Sequence, residues 1–118
     1  TDNNTGVAGV DWYAKLHNRR IDNNGDEGVY NDIVNSVNYS PNVKVINHSW
    51  SMIFEDQSPG RNSVTVRMAF AYAYKSNRVS IAAMGNENQT YPNVTNYPAG
   101  FSNVIAVGNS TITDQIAG

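Results

Sequence analysis

Few side chains in this 118-residue chain are equipped for bond chemistry. It holds two histidines, His17 and His48, ten carboxylates and no cysteine. The missing cysteines remove thiol nucleophiles, thiolate zinc sites and disulfide scaffolds. Neither histidine has a carboxylate at ligand spacing, so each reads as a surface or hydrogen-bonded core residue. His48 and Ser49 are neighbours on an expected strand, where successive side chains point to opposite faces, so they cannot pair as base and nucleophile. Asp22, Asn24 and Asp26 imitate the start of a calcium loop. Its sixth position is Glu27 where glycine is needed, and its twelfth is Ile33 where a carboxylate is needed. No glycine-rich phosphate loop is present. Gly85-Asn86 alone reads as a turn dipeptide.

The elements that must position these residues follow from apolar spacing. Tyr13, Ala14 and Leu16 suggest a short strand ending near Ile21. Residues 22–28 read as loop by composition. Val29, Ile33, Val34 and Val37 fall on one helical face, with acidic Asp26 and Glu27 ahead of it and Pro41 ending it. Val43, Val45 and Ile46 predict a buried strand. Residues 51–62 read as loop, and Val64, Met68, Ala71 and Tyr74 recur at helical spacing. A second buried strand is expected over Val79–Met84, a polar loop over 86–100, and a third strand over Asn103–Gly108. Alternating strands and helices imply an α/β fold with a parallel sheet and right-handed crossovers.

Composition agrees. The chain has 13 Val and 8 Ile against one Leu, a bias toward β-branched residues that suits strands. The net charge of −2, without a basic block, argues against a nucleic-acid surface. No run is long enough to span a membrane. The 18 Asn with only 15% charged residues suggest long polar loops, a composition common in exported microbial proteins.

Four segments in order carry a more specific signal: Asn-Asn-Thr-Gly-Val-Ala-Gly-Val (3–10), Val-Ile-Asn-His-Ser-Trp-Ser (45–51), Ala-Ala-Met-Gly-Asn-Glu-Asn (82–88), and Tyr-Pro-Ala with Asn-Val-Ile-Ala-Val-Gly (97–99 and 103–108). Together they resemble the middle of the catalytic domain of the subtilisin-like serine peptidases. The resemblance implies a partial doubly wound parallel sheet with flanking helices and, for the parent protein, peptide-bond hydrolysis by a Ser-His-Asp triad. The triad motifs are not in this chain. The family's Asp-Ser/Thr-Gly and His-Gly-Thr-His segments would precede Thr1, and Gly-Thr-Ser-Met-Ala would follow Gly118. Residues 1–118 are thus expected to be the central segment of one catalytic domain, inactive by themselves.

By the same resemblance Asn86 matches the oxyanion-hole asparagine. Ser49, Trp50 and Ser51 match the strand that pairs with substrate and walls the first specificity pocket, with Trp50 and Ser51 replacing smaller residues. Asp26, Glu27 and Gly28 match the opposite rim strand, and Tyr30 an aromatic of an outer subsite. Ala83, Met84 and Gly85 match the side and floor of the first pocket. Asn3 and Asn4 match a loop that binds calcium in many members. No cofactor is implied for the chemistry, a structural calcium ion is compatible, and no metal ligand is assigned. The expected partner is a peptide or protein substrate, and the expected location is extracellular. A non-catalytic homologue that binds extended peptides is the alternative. Lacking outer strands, the chain is expected to self-associate through open sheet edges and bare apolar faces.

Overall fold

A computed structural model describes residues 5–7, 9–21, 25–51, 63–86 and 95–115. Helix α1 (Gly25–Tyr39) leads to strand β1 (Val45–His48), and helix α2 (Val64–Lys75) to strand β2 (Val79–Ala83); strand β3 (Val104–Val107) follows. The three strands form one parallel sheet in the order β1-β2-β3. His48 lies opposite Ala82 and Ile81 opposite Ile105.

The apolar spacing of α1 becomes its buried stripe, Val29, Ile33 and Val37. Helix α2 buries Val66, Ala69, Phe70 and Ala73. Ser63 caps it, its hydroxyl accepting the Val66 amide at 3.1 Å. The methyl side chains of Ala69 and Ala73 let α1 approach closely. Tyr72 Oη donates to Asn38 Oδ1 at 2.7 Å across the two helices. Val29, Ile33, Val66, Ala69, Phe70 and Phe101 form the core. Val104, Tyr97 and Trp50 pack against it.

Three expectations change. Residues 11–20 are exposed and form no strand, since no neighbouring strand pairs with them among the described residues. Helix α1 begins at Gly25, so 25–28 are helical rather than loop. Asp26, Glu27 and Gly28 therefore form a first helical turn and not an extended rim strand. Their carboxylates suit a helix N-terminus, and the apolar face beyond them carries the helix onward. The strands, finally, are not buried on both faces. Ser80, Ala82 and His48 face the helices and are buried. Val45, Val79, Ile105 and Val107 share the other face and remain about half exposed, at 54%, 44%, 54% and 51%. Parallel sheets are normally covered on both faces.

The edge where the strands begin is held by arginines. The buried Arg78 donates from Nη2 to the Pro41 carbonyl at 3.0 Å and from Nη1 to the Ser76 carbonyl at 3.2 Å. Arg19 Nη2 donates to Ser40 Oγ at 2.8 Å. These contacts fix the C-terminal end of α1 beside the α2–β2 turn, so the N-terminal turn of α1 points toward the opposite edge. Arg78→Met is expected to destabilise the fold by about 2 kcal/mol, because two carbonyls lose a charged donor. Urea unfolding of the two proteins measures it.

Candidate functional site

In parallel α/β sheets, ligands meet the protein at the carboxyl ends of the strands. Here the register ends with His48 opposite Ala82, so Ser49–Ser51, leaving β1, and Met84–Asn86, leaving β2, both depart from the carboxyl edge of the sheet. The Met84 amide still donates to the Val107 carbonyl at 3.0 Å, so the sheet supports this segment beyond β2. Gly85 has φ +89°, a conformation costly for residues with a Cβ, and it turns the chain sharply. Asn86 follows with an exposed side chain. A carboxamide at this place can donate a hydrogen bond to an oxygen that gains charge during acyl transfer.

The predicted residues separate into two groups. Ser49, Ser51, Ala83, Met84, Gly85 and Asn86 are exposed and lie at the same carboxyl edge. Asp26, Glu27, Gly28 and Tyr30 belong to the first turns of α1. Asp26 and Glu27 are exposed, whereas Tyr30 is half-buried and packs on the core. Asn3 and Asn4, matched to a calcium loop, lie outside the described residues.

His48 and Ser49 do point apart, one buried and the other exposed. Ser49 Oγ accepts from Asn47 Nδ2 at 2.8 Å, which orients that hydroxyl. Trp50 turns toward the protein. Its ring is 5.8 Å from His48 and 6.4 Å from Phe70, so the indole packs beneath the edge. The aromatic series continues from Phe70 to Phe101 at 5.4 Å and to Tyr97 at 4.7 Å.

His48 is a core residue without the hydrogen bonds expected of one. It is 1% exposed, and among the described residues neither ring nitrogen has a hydrogen-bond partner. Burial lowers its pKa from 6.5 to about 4, so the ring is neutral at pH 7.

Asn96 was missed in the sequence because it lies in a polar loop rich in similar residues. Its Nδ2 donates to the Met84 carbonyl at 2.7 Å and ties segment 95–101 to the end of β2. That segment is a tight turn with a cis Tyr97-Pro98 bond, and the Gly100 amide donates to the Asn96 carbonyl at 2.9 Å. A Cβ at Gly100 would collide with Thr95 Cγ2 and crowd Tyr97 and the Asn96 carbonyl, so a larger residue there would displace the exposed Thr95 side chain. Tyr-Pro followed by a nearby glycine was the available signal. Among the described residues no group of three or more His, Asp or Glu side chains could hold a metal ion. No described helix is long and apolar enough to cross a membrane.

Comparison with known proteins identifies the family. A family model described as the subtilase family, Peptidase_S8, matches residues 1–118. Thermitase of Thermoactinomyces vulgaris is 31% identical over 117 residues, covering 98% of this chain and 38% of thermitase. Subtilisin DY of Bacillus licheniformis is 34% identical over 110 residues, covering 91% of this chain and 38% of that protein. Among solved structures, the prenylagaramide maturation protease PagA superposes with TM-score 0.64 at 21% identity, covering 79% of this chain and 31% of that one. A Pseudomonas sedolisin gives TM-score 0.57 at 21% identity, covering 80% of this chain and 29% of that one. The fold defines an α/β protein with a subtilisin-like parallel sheet. The chain belongs to the subtilase family, and it spans 38% of the length of each of the two curated relatives.

Proposed function

We propose that this chain is the substrate-cleft and oxyanion-hole segment of a subtilisin-like serine endopeptidase, the triad residues lying in other parts of the intact protein. One observation carries the reading most. Segments 49–51 and 84–86 leave adjacent parallel strands at the same edge, with Asn86 exposed at the turn after β2. An extended peptide laid along 49–51 would bond through its backbone, a sequence-tolerant mode of recognition. Asn86 would then donate to the oxyanion while a serine from elsewhere attacks the carbonyl. Residues 1–118 form part of one catalytic domain in this reading and do not hydrolyse peptides unaided. The test is Asn86→Ala in the intact protein, with the size of the loss argued in the Discussion.

Glu27 adds a selectivity. It is exposed on the first turn of α1, the end of that helix nearer the carboxyl edge. Its charge favours basic over acidic side chains in a bound peptide, and Glu27→Lys reverses that order. Profiling both proteins with a peptide library reads this out. Equal rates for acidic and basic peptides with wild type would remove the role.

The bare sheet face predicts how the isolated chain behaves. Val45, Val79, Ile105 and Val107 form an apolar surface on an open sheet, so residues 1–118 alone should associate. Light scattering is expected to show species larger than a 12.9 kDa monomer. A monodisperse monomer with a cooperative melt would contradict this.

A further inference from the structure

We propose that His48 is a positioning residue for the cleft wall: as a neutral ring packed against both Trp50 and Phe70 it holds segment 49–51 in place, and its protonation in acid releases that segment. The inference rests on the reading of 49–51 as the substrate-pairing wall.

His48 is the last residue of β1 and immediately precedes Ser49. Its ring lies 4.8 Å from Phe70 and 5.8 Å edge-on to Trp50. A neutral imidazole can fill this space as an aromatic body. An imidazolium carries two N–H donors, and both nitrogens here lack an acceptor. Among the described residues Trp50 Nε1, beside this ring, is also buried without a partner.

Among the described residues, the elements around His48 supply no compensating charge. Helix α2 presents Val66, Ala69, Phe70 and Ala73 inward, while its Arg67, Tyr72, Tyr74 and Lys75 are exposed. Strand β2 has no titratable residue and places Ala82 opposite His48. Segment 95–103 contributes Tyr97, which stacks on Phe101. Helix α1 packs on α2. Its Asp26, Glu27 and Tyr39 are exposed, and Tyr30 and Asp32 are half-buried.

A charged His48 must therefore reach water. Helix α2 is held by its serine cap and by its packing on α1. Ser49 and Ser51 are exposed, so the 49–51 segment is the element with the least to lose by moving.

The test uses the intact protein, with and without His48→Phe. His48→Leu replaces His48→Phe if phenylalanine does not fold. Trp50 emission, obtained as the difference from Trp50→Phe in each background, is followed from pH 7 to pH 3.5. With His48 it should shift reversibly to the red with a midpoint near 4, the value to which burial lowers this ring. In the His48→Phe or His48→Leu protein it should not shift. In parallel, kcat/KM on a peptide substrate is compared between wild type and the variant at each pH. Titration of the rest of the site is common to both and cancels in the ratio. Normalised to pH 7, the wild-type ratio should fall about two-fold at pH 4 and about four-fold at pH 3.5, following the neutral fraction of His48. A shift without the fall overturns the coupling to substrate. An emission unchanged by pH, or changing equally in both proteins, overturns the proposal outright. If the intact protein hydrolyses no peptide, the cleft reading fails, and the emission arm still decides whether His48 positions Trp50.

Discussion

Asn86→Ala is expected to lower the turnover of the intact protein about 100- to 1,000-fold, a magnitude carried over from subtilisin's own oxyanion asparagine. The loss should fall on kcat, with KM nearly unchanged. The tetrahedral oxyanion exists only around the transition state, so removing its donor leaves ground-state binding intact. The structure makes Asn86 suited to such a test. Its side chain is exposed, and the turn that presents it is set by Gly85 and by sheet pairing through Met84. Asn86→Asp should be at least as damaging, because a carboxylate repels the developing charge. Steady-state kinetics with a chromogenic peptide measures both variants.

The second large effect concerns acid stability. Folding lowers the pKa of His48 to about 4 by burial, so the unfolded chain takes up the proton first. Above pH 6.5 both states are neutral and His48 costs nothing through ionisation. As the pH falls from 6.5 to 4 the unfolded state gains protons that the folded state refuses, and stability declines. Below about pH 4 both states are charged and the loss levels off. The full difference amounts to about 3 kcal/mol. His48→Leu should remove that part of the pH dependence. It should be neutral or stabilising at pH 7, since among the described residues no hydrogen bond is lost with the ring. Urea midpoints at pH 7, 5 and 4 for the two proteins test this. Parallel curves would show that His48 carries no proton linkage.

Much of the architecture is legible where a periodicity has one cause. Val29, Ile33 and Val37 mark one helical stripe and become the buried face of α1. Pro41 ends that helix because it cannot donate a backbone hydrogen bond. The runs around Ile46, Ile81 and Ile105 become the three strands. Their burial was not legible. An apolar run fits a strand covered on both faces, yet here the Val45, Val79 and Val107 side of the sheet is open. Asp26-Glu27-Gly28 shows a conflict between motif and local physics. Matching by motif makes it an extended rim, whereas acidic residues ahead of a helical stripe make it a first turn, and the helix prevails.

The site shows the same division. Gly85-Asn86 is only a turn dipeptide until the neighbouring segments give it context. Its place at the end of β2 then follows from the strand alone. Trp50 could wall a pocket or fill the core, and only its ring contacts with His48 and Phe70 decide that it packs inward. Asn96 is marked only by the neighbouring Tyr-Pro and glycine, since its own partner is a backbone carbonyl twelve residues away.

The most direct test of the cleft reading is fluorophosphonate labelling of the intact protein, with peptide mapping, in wild type and Asn86→Ala. The account predicts one labelled serine outside residues 1–118 and labelling at least ten-fold slower in Asn86→Ala. No labelling of folded wild-type protein would contradict a serine peptidase and favour a homologue that only binds peptides. Labelling at an unchanged rate in Asn86→Ala would remove Asn86 from the oxyanion hole.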